Sequence, residues 1–123
     1  MATAPIASSG GSSNFSNTLA VENAGAAELG PAFKMVVAST VTAVATLCRG
    51  TTPSVTWEVR HAASAIDRTA GTLIASGTTT SVTVGDTAAV SVAVPAGDWV
   101  WLRTTAQSGT VLEFEAVISG AET

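Results

Sequence analysis

Two glutamates, Glu113 and Glu115, stand two positions apart near the end of the chain. On an extended strand that spacing puts both carboxylates on one face, and paired carboxylates are what a glycosidase uses for its acid and its nucleophile or base. Catalytic carboxylates come from different strands across a cleft, so two acids on one strand face read first as the solvated side of that strand. His61 is the only histidine. A multi-histidine metal site is therefore ruled out, and any Ser/His/Asp triad depends on this one imidazole. His61 reads as a strand-end residue at the surface or in an interface. Cys48 is the only cysteine; it ends a strongly apolar segment and has no histidine near it in sequence, the pattern of a small core side chain rather than a nucleophile. No glycine-rich phosphate loop leads from a strand into a helix. Trp99 and Trp101 share one strand face with Arg103, while Val100 and Leu102 occupy the other. That strand is either buried on both faces, in the core or a subunit interface, or it offers its indoles as a platform on which a sugar ring stacks. No catalytic, cofactor-binding or metal-binding residue is expected.

The elements that must position these residues read as strands. In residues 54–61, Val55, Trp57 and Val59 alternate with Thr56, Glu58 and Arg60, the period-2 signature of a half-buried strand. Residues 33–48 are rich in Val and Thr and form two strands or one long bent one, after which Arg49-Gly50-Thr51-Thr52-Pro53 punctuates. The segment DRTAG (67–71) is a loop, residues 72–75 a short strand and Gly77 a turn. Residues 78–84 and 89–94 form a hairpin around Gly85-Asp86, with Val82, Val84, Val90, Val92 and Val94 inward. Pro95-Ala96-Gly97-Asp98 turns the chain into a strand at 99–105, Ser108-Gly109 turns it again, and residues 110–119 form the final strand, alternating Leu112, Phe114, Ala116 and Ile118 against Val111, Glu113, Glu115 and Val117. Seven or eight strands at spacings of about 8–12 residues, with no amphipathic helix, predict an all-β fold: an antiparallel β-sandwich, jelly-roll-like or immunoglobulin-like.

Composition divides the chain. Residues 1–31 form a low-complexity Ala/Ser/Gly/Asn tract, and residues 32–123 carry the strand pattern. The tract has little apolar surface to offset the roughly 1–2 kcal/mol per residue that ordering a backbone costs, so it reads as an extended arm that a partner must hold. Phe15, Leu19 and Val21 are its anchor points, and a short helix over residues 24–29 has weak support. The remaining length suits one sandwich-sized domain.

Hydrophobic residues make up 46% of the 123 and charged residues 11%, against about 25% charged in typical soluble domains. With a mean hydropathy of +0.42, apolar area is left over once a small core is filled, and such area ends up in protein interfaces. The longest apolar stretch, residues 33–48, is interrupted by Lys34, Ser39, Thr40, Thr42 and Thr46 and falls short of the ~20 apolar residues of a membrane-spanning helix. The first cation is Lys34, so no basic, apolar secretory signal is visible. The lone cysteine gives no indication of an oxidising compartment, and synthesis in a cytoplasm is the default. A net charge of −4 with only five Lys and Arg disfavours nucleic acid as a partner.

The stretch VTWEVRHAASAIDRTAGTLIASGTTTSVTV, followed by VPAGDWVWLRTTAQSGTVLEFEAVIS, resembles small virion proteins of tailed bacteriophages. The shared pattern is a Trp-containing strand with Arg-His, a DR-x-AGT loop, a threonine tract, and then PAG-x-WVWL-x-TTAQSGTV; it covers residues 55–119. The resemblance implies a structural protein without catalytic residues, in the head-decoration or cement class, with a related pattern near tail-fibre ends. Its expected partners are the major capsid protein and further copies of itself, with a trimer favoured, on a virion surface assembled in the host cytoplasm. Phe15, Leu19, Val21, Trp99 and Trp101 are the expected partner-binding residues. The alternative is a tail or fibre module that binds host surface glycan through Trp99 and Trp101.

Overall fold

A computed structural model describes residues 13–22, 29–65, 67 and 69–123. Their regular elements are β1 (Asn14–Glu22), β2 (Leu29–Lys34), β3 (Ser39–Ala62), β4 (Thr72–Thr79), β5 (Asp86–Val94) and β6 (Trp99–Glu122), joined in one antiparallel six-stranded sheet. The fold is all-β and antiparallel, as the alternation predicts.

Two strands of 24 residues each, β3 and β6, form the spine and pair from Ser39↔Glu122 to Ala62↔Trp99. Each shorter strand lies along one half of that spine. β5 pairs with the first half of β3, from Ser39↔Val94 to Thr46↔Asp86, and β4 with its second half, from Val55↔Thr79 to His61↔Thr72. β1 pairs with the second half of β6, from Asn14↔Ala121 to Glu22↔Glu113, and β2 with its first half, from Leu29↔Arg103 to Lys34↔Trp99. The result is two four-stranded wings, ordered β1-β6-β3-β5 and β2-β6-β3-β4, that share their two central strands.

The wings fold over one another. Thr46 and Trp57 are eleven positions apart on β3, which in a straight strand is about 36 Å at ~3.3 Å per residue. Yet both reach Thr79: its hydroxyl lies 2.5 Å from that of Thr46 and accepts the Trp57 indole N–H at 3.0 Å. β3 must therefore turn back on itself. It does so at Gly50, with φ 152°, and Thr52, with φ 44°, opposite a bend in β6 at Gly109, with φ 71°. A Cβ on Gly50 would stand 1.9 Å from the Thr110 carbonyl oxygen, and one on Gly109 would stand 2.1 Å from that of Thr52. The two backbones touch at the bend, which only glycine permits. Between the wings lie Val41, Val44, Cys48, Val55, Trp57 and Val59 from β3, with Val100, Leu102, Phe114, Ala116 and Ile118 from β6.

Several expectations change. The fold has six strands among the described residues, because Arg49 to Pro53 and Ser108-Gly109, expected to end strands, are bends inside continuous ones. Gly77, expected as a turn, lies within β4, and Val82 and Val84, expected inward, follow that strand and are 46% and 90% exposed. Leu112 points out and Val111 in. The register runs from Arg49↔Glu113 to Gly50↔Val111, leaving Leu112 as an extra residue that reverses the faces on either side of it.

The division at residue 32 is also revised for the residues described. Residues 14–22, expected within an extended arm, pair with β6 along their whole length, and Leu19 and Val21 belong to the chain's own core. Their alternation is short and set in polar residues, and it gains its burial from β6, a hundred residues further on. Residues 1–12 and 23–28 lie outside the described residues, and with them residues 24–28 of the helix weighed for 24–29; Leu29 opens β2.

Candidate functional site

The outer face of the β2-β6-β3-β4 wing carries the residues singled out for contact. Trp99, Trp101 and Arg103 do share a face of β6, but the sheet treats the two indoles differently. Trp101 is fully buried. The chain returns over it at Gly71, which, at φ +91°, comes so close that a Cβ there would stand 2.8 Å from the far edge of the indole. Arg60, whose register partner on β6 is Trp101, fixes Gly71 there by donating from Nη1 to its carbonyl at 3.0 Å. Trp99 remains 36% exposed, with the Lys34 ammonium 6.0 Å from its ring centroid. A platform of two indoles is thus reduced to one, and Trp101 is not a surface residue.

Beside Trp101 runs a charged row. Glu58 accepts from Arg60 Nε at 2.8 Å and from Arg103 Nη1 at 2.7 Å on Oε1, with Arg60 Nη2 at 3.3 Å from Oε2. The hydrogen bond from Arg60 and then that from Arg103 hold the Glu58 carboxyl below its ordinary value, against a partial desolvation that pushes the other way. This arrangement ties two guanidiniums to one carboxylate. Ahead of Gly71, the Thr69 hydroxyl and amide donate to Asp67 Oδ1 at 2.6 and 3.0 Å and lower its pKa.

The groups weighed for catalysis are held in structural roles. Glu113 and Glu115 share the outer face of β6 on the other wing, where Glu113 pairs with Arg49 Nε at 3.0 Å. Both carboxylates come from one strand. His61, expected at a strand end at the surface or in an interface, lies at the end of β3 and is only 8% exposed, with Nδ1 2.8 Å from Asp98 Oδ2. Asp98 also accepts the Met35 amide on its backbone oxygen at 2.7 Å, and Gly97 donates to the Met35 carbonyl at 2.6 Å. The imidazole therefore ties the end of β3 to the turn before β6 and to the segment after β2. Cys48 is fully buried, its thiol 3.5 Å from the Thr79 and Ser81 carbonyls. Burial, and then the charge of Asp86, raise its pKa, the reverse of what an attacking thiolate needs. Among the described residues no group of three or more His, Cys, Asp or Glu is placed to hold a metal.

Of the expected arm anchors, Leu19 and Val21 are buried inside the chain, at 6% and 9% exposure, and are not free to hold a partner. Phe15 is half-buried. It lines a shallow groove with Asn17, Lys34, Met35, Val36, Val37, Ser39 and Glu122, in which Val36 and Val37 are 82% and 45% exposed. Sequence alternation missed those two valines, because they continue an apolar run that the chain breaks at residues 36–38 to pass from the edge of one wing into β3 at its start in the other. The one signal available was the neighbouring Lys34, which marks the solvent side.

No protein-family model, curated protein or solved structure matches the chain.

Proposed function

We propose that this chain is a structural component of a phage particle: a head-decoration or cement protein that binds the outer surface of the capsid and acts by contact rather than by catalysis. What carries the reading is the apolar area left outside after the core is closed. Val36, Val37, Leu73, Val84 and Leu112 all stay more than two-fifths exposed on a surface with few charges to keep it apart from other proteins. The sequence resemblance supplies the particle, and the major capsid protein is the partner proposed for the Phe15, Val36 and Val37 groove. A ligand that binds only the assembled shell stabilises it by mass action, by RT ln(1 + [L]/Kd) per site. The glycan-binding alternative depended on Trp99 and Trp101 together, and with Trp101 covered its basis is Trp99 alone.

Quantitative mass spectrometry of intact virions tests the proposal. A cement protein is present in hundreds of copies per particle, and heads stripped of it rupture at lower temperature until purified protein is added back. A few copies per particle, with bare heads as robust as decorated ones and a loss of adsorption instead, would overturn it.

A further inference from the structure

Four strands have one side without a ladder partner among the described residues: β1, β2, β4 and β5. An unpaired strand edge is a template for another strand, and proteins blunt such edges with proline, charge, brevity or bulges. β2 is six residues long and carries Pro31 and Lys34. β4 contains Gly77 and a register shift beside Arg60. β1 ends in Glu22. β5 differs from these: from Thr87 to Val94 it has no charge, no proline and no glycine, and five of its nine residues are Val, Thr or Ser. Its one protective device is a bulge at Val90–Ser91, where the register passes from Val41↔Val92 to Ala43↔Ala89; the residues on both sides of it stay in register with β3.

The inward face of β5 is also unfinished. Ala88, Val90 and Val92 point to the core but are only partly buried against it, and Val84, two residues ahead of the strand, is 90% exposed. A further strand alongside would cover the three and extend the sheet of that wing.

We propose that this further strand is β5 of a second copy, paired antiparallel across a two-fold axis at Val90. Charge favours this occupant over the head-to-tail pairing of β5 with β1. Laying β1 of one copy antiparallel along the full length of β5 of the next, the head-to-tail contact a ring would use, sets Glu22 against Asp86, and like charges directly opposite destabilise a ladder. Pairing β5 with itself about Val90 sets Asp86 against Val94, Ala88 against Val92 and Val90 against Val90. It brings no two charges together and joins valine to valine on the core side. The proposal stands independently of the virion reading, and it gives an even-numbered assembly where the sequence resemblance favours a trimer.

In this register Ala89 of one copy faces Ser91 of the other, and both are exposed on the outer face. Light scattering coupled to size exclusion should give twice the 12.2 kDa chain mass. The A89K/S91K variant, with lysine opposite lysine, should elute as a monomer with an unchanged melting curve, whereas A89K/S91E, with lysine opposite glutamate and similar added bulk, should remain a dimer. A wild-type monomer across micromolar concentrations, a trimer indifferent to A89K/S91K, or loss of the dimer in both variants would overturn the pairing about Val90.

Discussion

Trp57 sits where the two wings meet. Its indole packs against Phe114 with ring centroids 6.5 Å apart and donates to Thr79, which in turn bonds Thr46 on the other half of the same strand. Trp57→Ala therefore removes core volume and the donor that Thr79 expects, and should cost about 3–5 kcal/mol. Denaturant midpoints measure it, and a loss below about 1 kcal/mol would place the wings further apart than described. Glu58 makes a second case. Its carboxyl is held below the ordinary 4.5 by Arg60 and Arg103, so its contribution is present above that pH and is lost as pH falls through the lower folded-state value. Glu58→Gln should melt earlier than the parent at pH 7, and the gap should close on acidification; a gap that persisted well below the carboxylate range would mean that packing, not charge, is responsible. At this scale the sequence was readable where neighbours along the strand decide the outcome. Val55, Trp57 and Val59 alternate without interruption, and Cys48 ends an apolar run. It was unreadable where distant chain decides it: Trp101 is covered by the chain at Gly71, Leu112 is turned out by a bulge against Gly50, and His61 is drawn in by Asp98.

The strands show the same division. Pro and Gly mark positions of unusual backbone, but a tight turn and a bend within a strand place the same demand on φ. What distinguishes them is whether the chain afterwards keeps the same neighbour, and β3 and β6 keep each other on both sides of Gly50 and Gly109. Hence segments that looked like four strands are two. β1 was hidden for a complementary reason: its apolar content is small, and its order comes from lying along Phe114, Ala116 and Ile118. Its removal should therefore be costly. A chain lacking residues 1–12 keeps all nine ladder positions of β1, whereas one lacking residues 1–31 uncovers that part of β6. The first should melt cooperatively near the parent temperature. The second should bind a hydrophobic dye and lose its cooperative transition. Leu19→Ala, at about 2–5 kcal/mol, gives the graded form of the experiment. Two truncations with equal melting temperatures would return residues 14–22 to the role of a loose arm.

The whole molecule is built around the sixth of its six described strands. β6 is the neighbour of β1, β2 and β3, and its partners include Asn14, which pairs with Ala121. Pairings of such separation make folding slow, in the millisecond-to-second range typical of all-β domains. Synthesis adds a further condition, since the ribosome delivers β1 through β5 before the strand that joins them. In that interval β3 has only β4 and β5 to pair with, β1 and β2 have no ladder at all, and the inward faces of all five are open to chaperones and to other nascent chains. Arrested chains ending at Asp98 should be digested by a protease throughout, and chains extended past Glu122 should become resistant in a single step. A gradual gain of resistance would mean that β3, β4 and β5 fold by themselves. The uncharged β5 is thus exposed to its like before its own sheet exists, and on crowded polysomes two chains can meet there earlier than either can close.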